Sequence, residues 1–382
     1  MIYLDHAATS WPKPPEVMRA MATYLERFGG NPGRSGHRLS VAAGRAVYEA
    51  RETVAEFFGA PDPLRVIFTP NATYAINLAL RGLLGPGDRV VTSSVEHNSV
   101  MRPLRALEKE GVDVVVARCD AAAALDPAEL ARAVTPGTKL VVLTHASNVT
   151  GTILPVAEAA EIARRAGALF LLDAAQTAGY LPIDVARMGI DLLAFTGHKA
   201  LQGPSGTGGL ILGQEVEAEA LRPLCHGGTG SASESEEQPA VLPDKYEAGT
   251  LNAVGLAGLR AGIEHLTTVG LEAVRGREEA LAEALREGLA DVADVALYGP
   301  AEAARRTPVV SIGLPGRRLA DVALRLDEEY GVLARVGLQC APACHRTLGT
   351  FPEGTIRLSP GLNTTREEID HTVAAIREIA SA

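Results

Sequence analysis

The sequence predicts an α/β protein: a large doubly wound domain with a mostly parallel sheet, followed by a smaller α+β domain. Three observations predict it. Short, nearly continuous apolar runs alternate with longer amphipathic stretches, as strands buried on both faces alternate with their crossover helices. Polar residues collect just after those runs, where an open α/β sheet binds its ligands. Beyond about residue 253 the rhythm changes to long helices with few strands between them. In chain order, strands are expected at 65–69, 89–93, 112–117, 140–144, 169–173 and 192–196, with helices at 75–84, 100–110, 127–133 and 156–166 between them. The glycine-rich segment 203–209 is a tight connection into one further strand at 210–212. After a polar stretch at 227–237 and a Pro243-Asp244 turn, long helices run from about 253 to 289, a strand follows at 308–313, and a helix starts at Leu319. The large domain is assigned to 15-255. The small one takes 256-382, joined by the N-terminal segment 1-14.

Composition narrows the function. The 382 residues carry 46 acidic and 36 basic side chains, a net charge of −10, so no cationic surface awaits nucleic acid or anionic lipid. With 47% hydrophobic residues the chain has the makings of one large core and a second lobe. The first residues lack the basic and apolar regions of a signal peptide, and no apolar run approaches a membrane span, so a cytoplasmic protein is expected. Cys119, Cys225, Cys340 and Cys344 form neither a disulfide framework nor a zinc site. Only five residues are lysine (Lys13, Lys109, Lys139, Lys199, Lys245), and chemistry that needs an amine has few candidates.

The polar residues after the strands form a set. Thr69-Pro70-Asn71-Ala72-Thr73 ends a strand and opens a helix, offering free N–H groups and a hydroxyl to an anion such as phosphate, although Thr and Asn are also ordinary caps. Glu96-His97-Asn98-Ser99 and Ser147-Asn148 follow later strands. Asp173 closes the run 169–173. A nucleotide hydrolase holds Mg²⁺ with such an aspartate, but it also needs a Gly-Lys-Ser/Thr loop, and none of the five lysines sits in one. The other use of a buried aspartate is as counter-charge to a protonated heterocycle nitrogen, as pyridoxal phosphate requires. Thr196-Gly197-His198-Lys199 then follows the next strand, with an amine able to form a Schiff base beside phosphate-type donors.

Together with Tyr3-Leu4-Asp5-His6-Ala7-Ala8-Thr9, Asn31-Pro32-Gly33-Arg34-Ser35-Gly36-His37 and Arg357-Leu358-Ser359-Pro360-Gly361-Leu362-Asn363-Thr364, these segments resemble the class V, fold-type I pyridoxal-phosphate enzymes along nearly the whole chain. The resemblance lies in the cysteine desulfurase and selenocysteine lyase branch. It implies that Lys199 carries the cofactor, Asp173 pairs with the ring nitrogen, Gln176 bonds the ring 3-hydroxyl and His97 stacks on the ring. Ala72, Thr73, Thr196 and His198 would hold the phosphate, and Thr250 would reach the phosphate of a neighbouring subunit, implying a homodimer with shared sites. Asn148 and Arg335 would recognise the substrate, with Arg357 a second contributor. The block Arg335-Val336-Gly337-Leu338-Gln339-Cys340-Ala341-Pro342 resembles the family's catalytic-cysteine loop.

The implied reaction converts L-cysteine to L-alanine. Substrate displaces Lys199 from the cofactor, the freed amine moves the α-proton, and Cys340 attacks the substrate sulfur and keeps it as a persulfide. The acceptor would be a protein, left open among an iron–sulfur cluster assembly scaffold, a tRNA-modifying enzyme and a cofactor synthase. Three departures stand out. Gln339 and Asn98 replace histidines that relatives often carry, and Cys344, four residues past Cys340, is either a bystander or a second thiol. The interval from Cys340 to Arg357 is short, which implies a compact loop. Two enzymes of the same fold are the alternatives: a lyase acting on L-selenocysteine, and a class V aminotransferase. A non-catalytic scaffold is the third.

Overall fold

A computed structural model of the protein describes residues 1–33 and 35–381; Arg34, within one of the segments above, lies outside the described residues. Its elements in chain order are β1 (Ile2–Tyr3), α1 (Pro15–Arg27), α2 (Arg38–Phe57), β2 (Val66–Thr69), α3 (Ala72–Leu83), β3 (Arg89–Ser93), α4 (Asn98–Lys109), β4 (Asp113–Ala117), α5 (Pro127–Ala133), β5 (Thr138–Thr144), α6 (Val156–Arg165), β6 (Leu169–Asp173), β7 (Leu192–Thr196) and β8 (Gly208–Leu212). Then come α7 (Ala253–Val269), α8 (Leu271–Ala290), β9 (Ala296–Tyr298), β10 (Val310–Gly313), α9 (Leu319–Glu328), β11 (Val332–Leu333), β12 (Arg335–Gly337), α10 (Pro342–Leu348), β13 (Thr355–Leu358) and α11 (Arg366–Ser381).

Seven strands form the main sheet in the order β2-β8-β7-β6-β5-β3-β4. Alternate residues of each strand enter opposite cores: Val141, Leu143, Phe170 and Leu172 pack on one face, Leu140, Val142 and Leu171 on the other. That two-sided burial is why the strands read as continuous apolar runs. Strand β8 is antiparallel to both β7 and β2. The eleven residues between β7 and β8, 197–207, leave no room for the helical crossover a parallel partner needs. Because β8 reverses once on each side, β2 points the same way as the parallel strands, and the carboxyl ends of β2, β3, β5, β6 and β7 share one edge.

The remaining elements close over that edge. Strands β12, β13, β10 and β9 form an antiparallel sheet, and β1 pairs with β11, tying the first residues of the chain to its last third. A third core gathers Leu4 with Leu285, Ile312, Leu326, Ile356 and Ile376. The long helical stretch after residue 253 breaks at Gly270, whose φ of +87° only glycine adopts without strain, and so becomes α7 and α8. Helices α1, α2, α10 and α11 were not delimited by the periodicity. Among the described residues no helix is long and apolar enough to cross a membrane.

One buried ion pair ties this frame together. Arg51 on α2 meets Glu247 at 2.7 Å, both side chains 4% exposed, and Glu247 also accepts the Phe68 N–H at 2.6 Å. Removing one partner strands a buried charge. Arg51→Leu is therefore expected to lower the unfolding free energy by about 3–5 kcal/mol in denaturant titrations. The Arg51→Leu/Glu247→Leu double variant should recover much of that loss; equal instability of single and double variants would contradict the pairing.

Candidate active site

At the shared edge the strand ends border a cavity of about 170 Å³ lined by Asn71, Ala72, Thr73, His97, Ser99, Thr144, Asn148, Asp173, Ala175, Gln176, Thr196, His198 and Lys199. One end is built for an anion. Asn71 caps α3, its Oδ1 accepting the Tyr74 N–H at 2.9 Å, and the first N–H groups of the helix, at Ala72 and Thr73, have no carbonyl to meet within it. The helix comes down close to the sheet because Gly208 lies beneath it: a Cβ there would stand 2.8 Å from the Asn71 Cα. Thr196 and His198 reach the cavity from the end of β7.

The loop after β7 is pinned by the N-terminal segment. The His198 carbonyl accepts from the Ser10 N–H at 3.1 Å, the Thr9 hydroxyl at 2.9 Å and the Lys13 amine at 2.7 Å, and the Lys199 carbonyl accepts from the Ser10 hydroxyl at 2.8 Å. Lys13 thus belongs to the site's support, a place its proline-rich surroundings gave no sign of. Its amine is already committed to two oxygens, at Ser10 and His198.

Lys199 is enclosed by protein except where it borders the cavity, and burial pulls its amine down to about 8 against the opposing pull of Asp173. Asp173 is 3% exposed; burial raises its carboxyl, while the Ala175 N–H at 2.9 Å and Lys199 favour its charged form. With both partners desolvated, the aspartate is available to a cationic group placed in the cavity. His97 is the N-cap of α4, and its Nδ1 accepts the Ser99 N–H at 3.0 Å. Its proton therefore sits on Nε2. Burial, then the charge of Lys199, lowers this imidazole to about 4, and the ring stays neutral. Beneath it the fully buried Glu96 receives the Ser93 hydroxyl at 2.5 Å and the Thr144 N–H at 2.9 Å, and burial raises it to about 8.

Arg335, Cys340 and Arg357 are not among the residues that line this cavity; the C-terminal third meets the lining through hydrogen bonds to Asn148 and beside His97. Arg357 on β13 is 3% exposed; it donates to the Asn148 carbonyl at 2.9 Å and to Asp5 at 2.7 Å, and its buried Nε has no partner. Arg335 stands opposite Arg357 in the β12–β13 ladder but is exposed. Cys340 is also exposed, and the loop that carries it is tied to the cavity lining: the Cys340 carbonyl accepts the Asn98 N–H at 2.8 Å, and the Gln339 carbonyl accepts the Asn148 amide at 2.7 Å.

The cavity brings together Ala72, Thr73, His97, Asn148, Asp173, Gln176, Thr196, His198 and Lys199. Thr250 lies elsewhere, exposed on the loop after Glu247. Cys344 is fully buried in the main core, where burial pushes its thiol up to about 12, so it is a packing residue rather than a second reactive thiol. Ser99, Asn71, Glu96, Asp5 and Lys13 were not singled out from the sequence. Asn71, Glu96 and Ser99 belong to segments already flagged, and only the direction of their side chains was missing. Asp5 and Lys13 gave no local signal, because their partners Arg357 and His198 are far away in sequence. Among the described residues no group of three or more His, Cys, Asp or Glu could hold a metal ion. The donor set instead fits pyridoxal phosphate: an anion cradle at one end, a buried carboxylate for a cationic ring nitrogen, a neutral imidazole and a low-pKa amine for an aldehyde.

Comparison with known proteins agrees with this geometry. The model of the aminotransferase class-V family matches residues 2–372. A probable cysteine desulfurase of Methanothermobacter thermautotrophicus is 38% identical over 99% of this chain and 94% of its own. Among solved structures, the apo cysteine desulfurase of Thermococcus onnurineus superposes with a TM-score of 0.93 at 34% identity, over 100% of this chain and 94% of its own. The Escherichia coli cysteine desulfurase CsdA superposes with a TM-score of 0.87 at 29% identity, over 99% and 94%.

The depressed amine carries a measurable signature. The free amine is the form that condenses with an aldehyde, so the rate at which cofactor-free protein takes up pyridoxal phosphate should climb about tenfold per pH unit below about 8 and level off above it. A rate still climbing between pH 9 and 10 would mean that the amine is not depressed. Lys199→Ala should abolish the visible absorbance of the Schiff base altogether.

Proposed function

The chain belongs to the class-V aminotransferase family, and on that premise we propose that it is a pyridoxal-phosphate-dependent cysteine desulfurase, releasing L-alanine and storing sulfur as a persulfide on Cys340. The observation that carries the reading is the exposed Cys340 thiol, tethered through Asn98 and Asn148 to the lining of the Lys199 cavity. An aminotransferase needs no such thiol.

When bound, pyridoxal phosphate supplies an aldehyde for the substrate amine and a ring that draws electrons away from its α-carbon. Asp173 would sustain the positive charge on that ring, and the N-terminus of α3 with Thr196 and His198 would hold its phosphate. Gln176 would bond the ring hydroxyl, and His97, neutral and held by Ser99, would offer its imidazole to the ring. Lys199 moves the α-proton, a task suited to an amine near 8. Asn148 and Arg357, joined through the Asn148 carbonyl, take the substrate carboxylate, with the exposed Arg335 beside Arg357 in the ladder. Cys340 as thiolate attacks the substrate sulfur: the S–S bond forms as the Cβ–S bond breaks, the electron pair goes to the carbon fragment, and protons complete alanine. Cysteine plus the enzyme thiol gives alanine plus the enzyme persulfide, with no outside oxidant or reductant.

The same reading makes the protein a homodimer in which Thr250 reaches the partner's phosphate site, consistent with its exposure and its distance from its own cavity. It places the enzyme in the cytoplasm, in keeping with four unpaired cysteines, and hands its sulfur to an acceptor protein.

Purified protein loaded with pyridoxal phosphate should release alanine from L-cysteine; release of a keto acid with lasting conversion of the cofactor to its amine form would instead identify an aminotransferase. Cys340→Ala is expected to lose at least about 100-fold in alanine release from L-cysteine while turning over L-selenocysteine, whose selenolate leaves more readily. Arg357→Ala should raise KM for L-cysteine about 10–100-fold, the effect of losing a charge-assisted bond, and Arg335→Ala clearly less. Equal effects at both arginines would reassign the carboxylate.

A further inference from the structure

Cys340 sits at the tip of an unusual turn. The Ala341 N–H donates to the Leu338 carbonyl at 2.8 Å, closing a four-residue turn whose central residues, Gln339 and Cys340, have φ of +41° and +57°. Two successive left-handed residues are what Asn-Gly supplies cheaply in turns of this kind; Gln-Cys does not. Something must hold the pair there. The Gln339 side chain, 6% exposed, turns inward, away from the exposed thiol. Its Nε2 donates to the Thr355 carbonyl at 2.9 Å, and its Oε1 receives His345 Nε2 at 2.9 Å and the Thr355 hydroxyl at 3.3 Å.

The tautomer follows. Gln339 Oε1 has no proton to give, so His345 carries its proton on Nε2, and its Nδ1 accepts from the Thr350 hydroxyl at 2.7 Å. His345 is fully buried on α10, and burial lowers it to about 4, so the donor is a neutral ring. Gln339 cannot pass a proton to the neighbouring thiol, since its amide does not titrate.

Resting on the proposed desulfurase reading, we infer that Gln339 and His345 are positioning residues, an internal latch that keeps the Leu338–Ala341 turn left-handed and thereby aims the Cys340 sulfur at the substrate. Without the latch the two residues relax toward ordinary φ, and displacement of a reacting atom by about 1 Å is enough to cost about 100-fold in rate.

The test uses cofactor-loaded full-length protein and two readouts: kcat and KM for L-cysteine, and the rate of Cys340 alkylation by iodoacetamide in the absence of substrate. Gln339→Ala and His345→Ala should each lower kcat about 10–100-fold, leave KM within about twofold, and change the alkylation rate at least about fivefold. The double variant should be no worse than the poorer single, because His345 acts on the turn through its contact with Gln339, which Gln339→Ala already removes. His345→Gln, which returns an N–H to Gln339, and Gln339→Gly, which adopts positive φ without strain, should restore most of the loss. The latch is overturned if alkylation is unchanged in both alanine variants, if their losses multiply, or if glycine at 339 is no better than alanine. Should His345→Ala fail to fold, the comparison of Gln339→Ala with Gln339→Gly decides alone. Wild-type protein that releases no alanine overturns the desulfurase reading, while alkylation still tests the latch.

Discussion

The site depends on one amine kept out of water. Lys199 lies among protein atoms, and taking a charge there from bulk solvent is unfavourable enough to bring its pKa to about 8. What keeps it from falling further is the carboxylate of Asp173, itself buried and raised. Neither group would have a useful charge state alone: an unpaired buried lysine would lose its proton, and an unpaired buried aspartate would gain one. Their opposition leaves a pair whose charges respond to whatever enters the cavity. His97 and His198, lowered by burial and by the nearby lysine, stay neutral around it.

Holding that amine in place requires both ends of the chain. The N-terminal segment returns to the loop after β7 and spends four donors on the carbonyls of His198 and Lys199. The same segment supplies Asp5 to Arg357 and pairs β1 with β11, so the elements that carry Arg357 and Cys340 close over the sheet edge. The anion cradle, the amine and the thiol therefore come from three parts of the chain that meet only in the folded state. In the Cys340 loop, polar contacts draw Gln339 inward while Ala341 packs into the main core, and together they hold a turn whose residues do not favour it.

Much of the sheet was legible because its physics is local. Strands buried on both faces are continuous apolar runs, and the observed bounds of β3, β6 and β7 coincide with theirs. Where a boundary moved, a cap moved it: α4 starts at Asn98 because His97 accepts the Ser99 N–H. The antiparallel β8 follows from the shortness of the 197–207 connection, a feature visible in the sequence though read there only as a tight turn. The site was legible to the extent that its residues end strands. Lys199, Asp173 and His97 do or nearly do; Asp5, Lys13 and Ser99 act through partners or directions that no local pattern records.

By itself the sequence determined which residue types stand at the carboxyl ends of the strands, and so which chemistry the edge can host, because strand periodicity and the apolar content of each run are properties of neighbouring residues. Only the tertiary structure decided how those groups are charged and aimed. It buried Arg357 and left Arg335, its partner across the ladder, in solvent. It sent Cys344 into the core and Cys340 to the surface, and it turned Gln339 inward to His345. Desolvation, hydrogen-bond partners and backbone handedness depend on which distant segments meet, and that is settled when the chain packs.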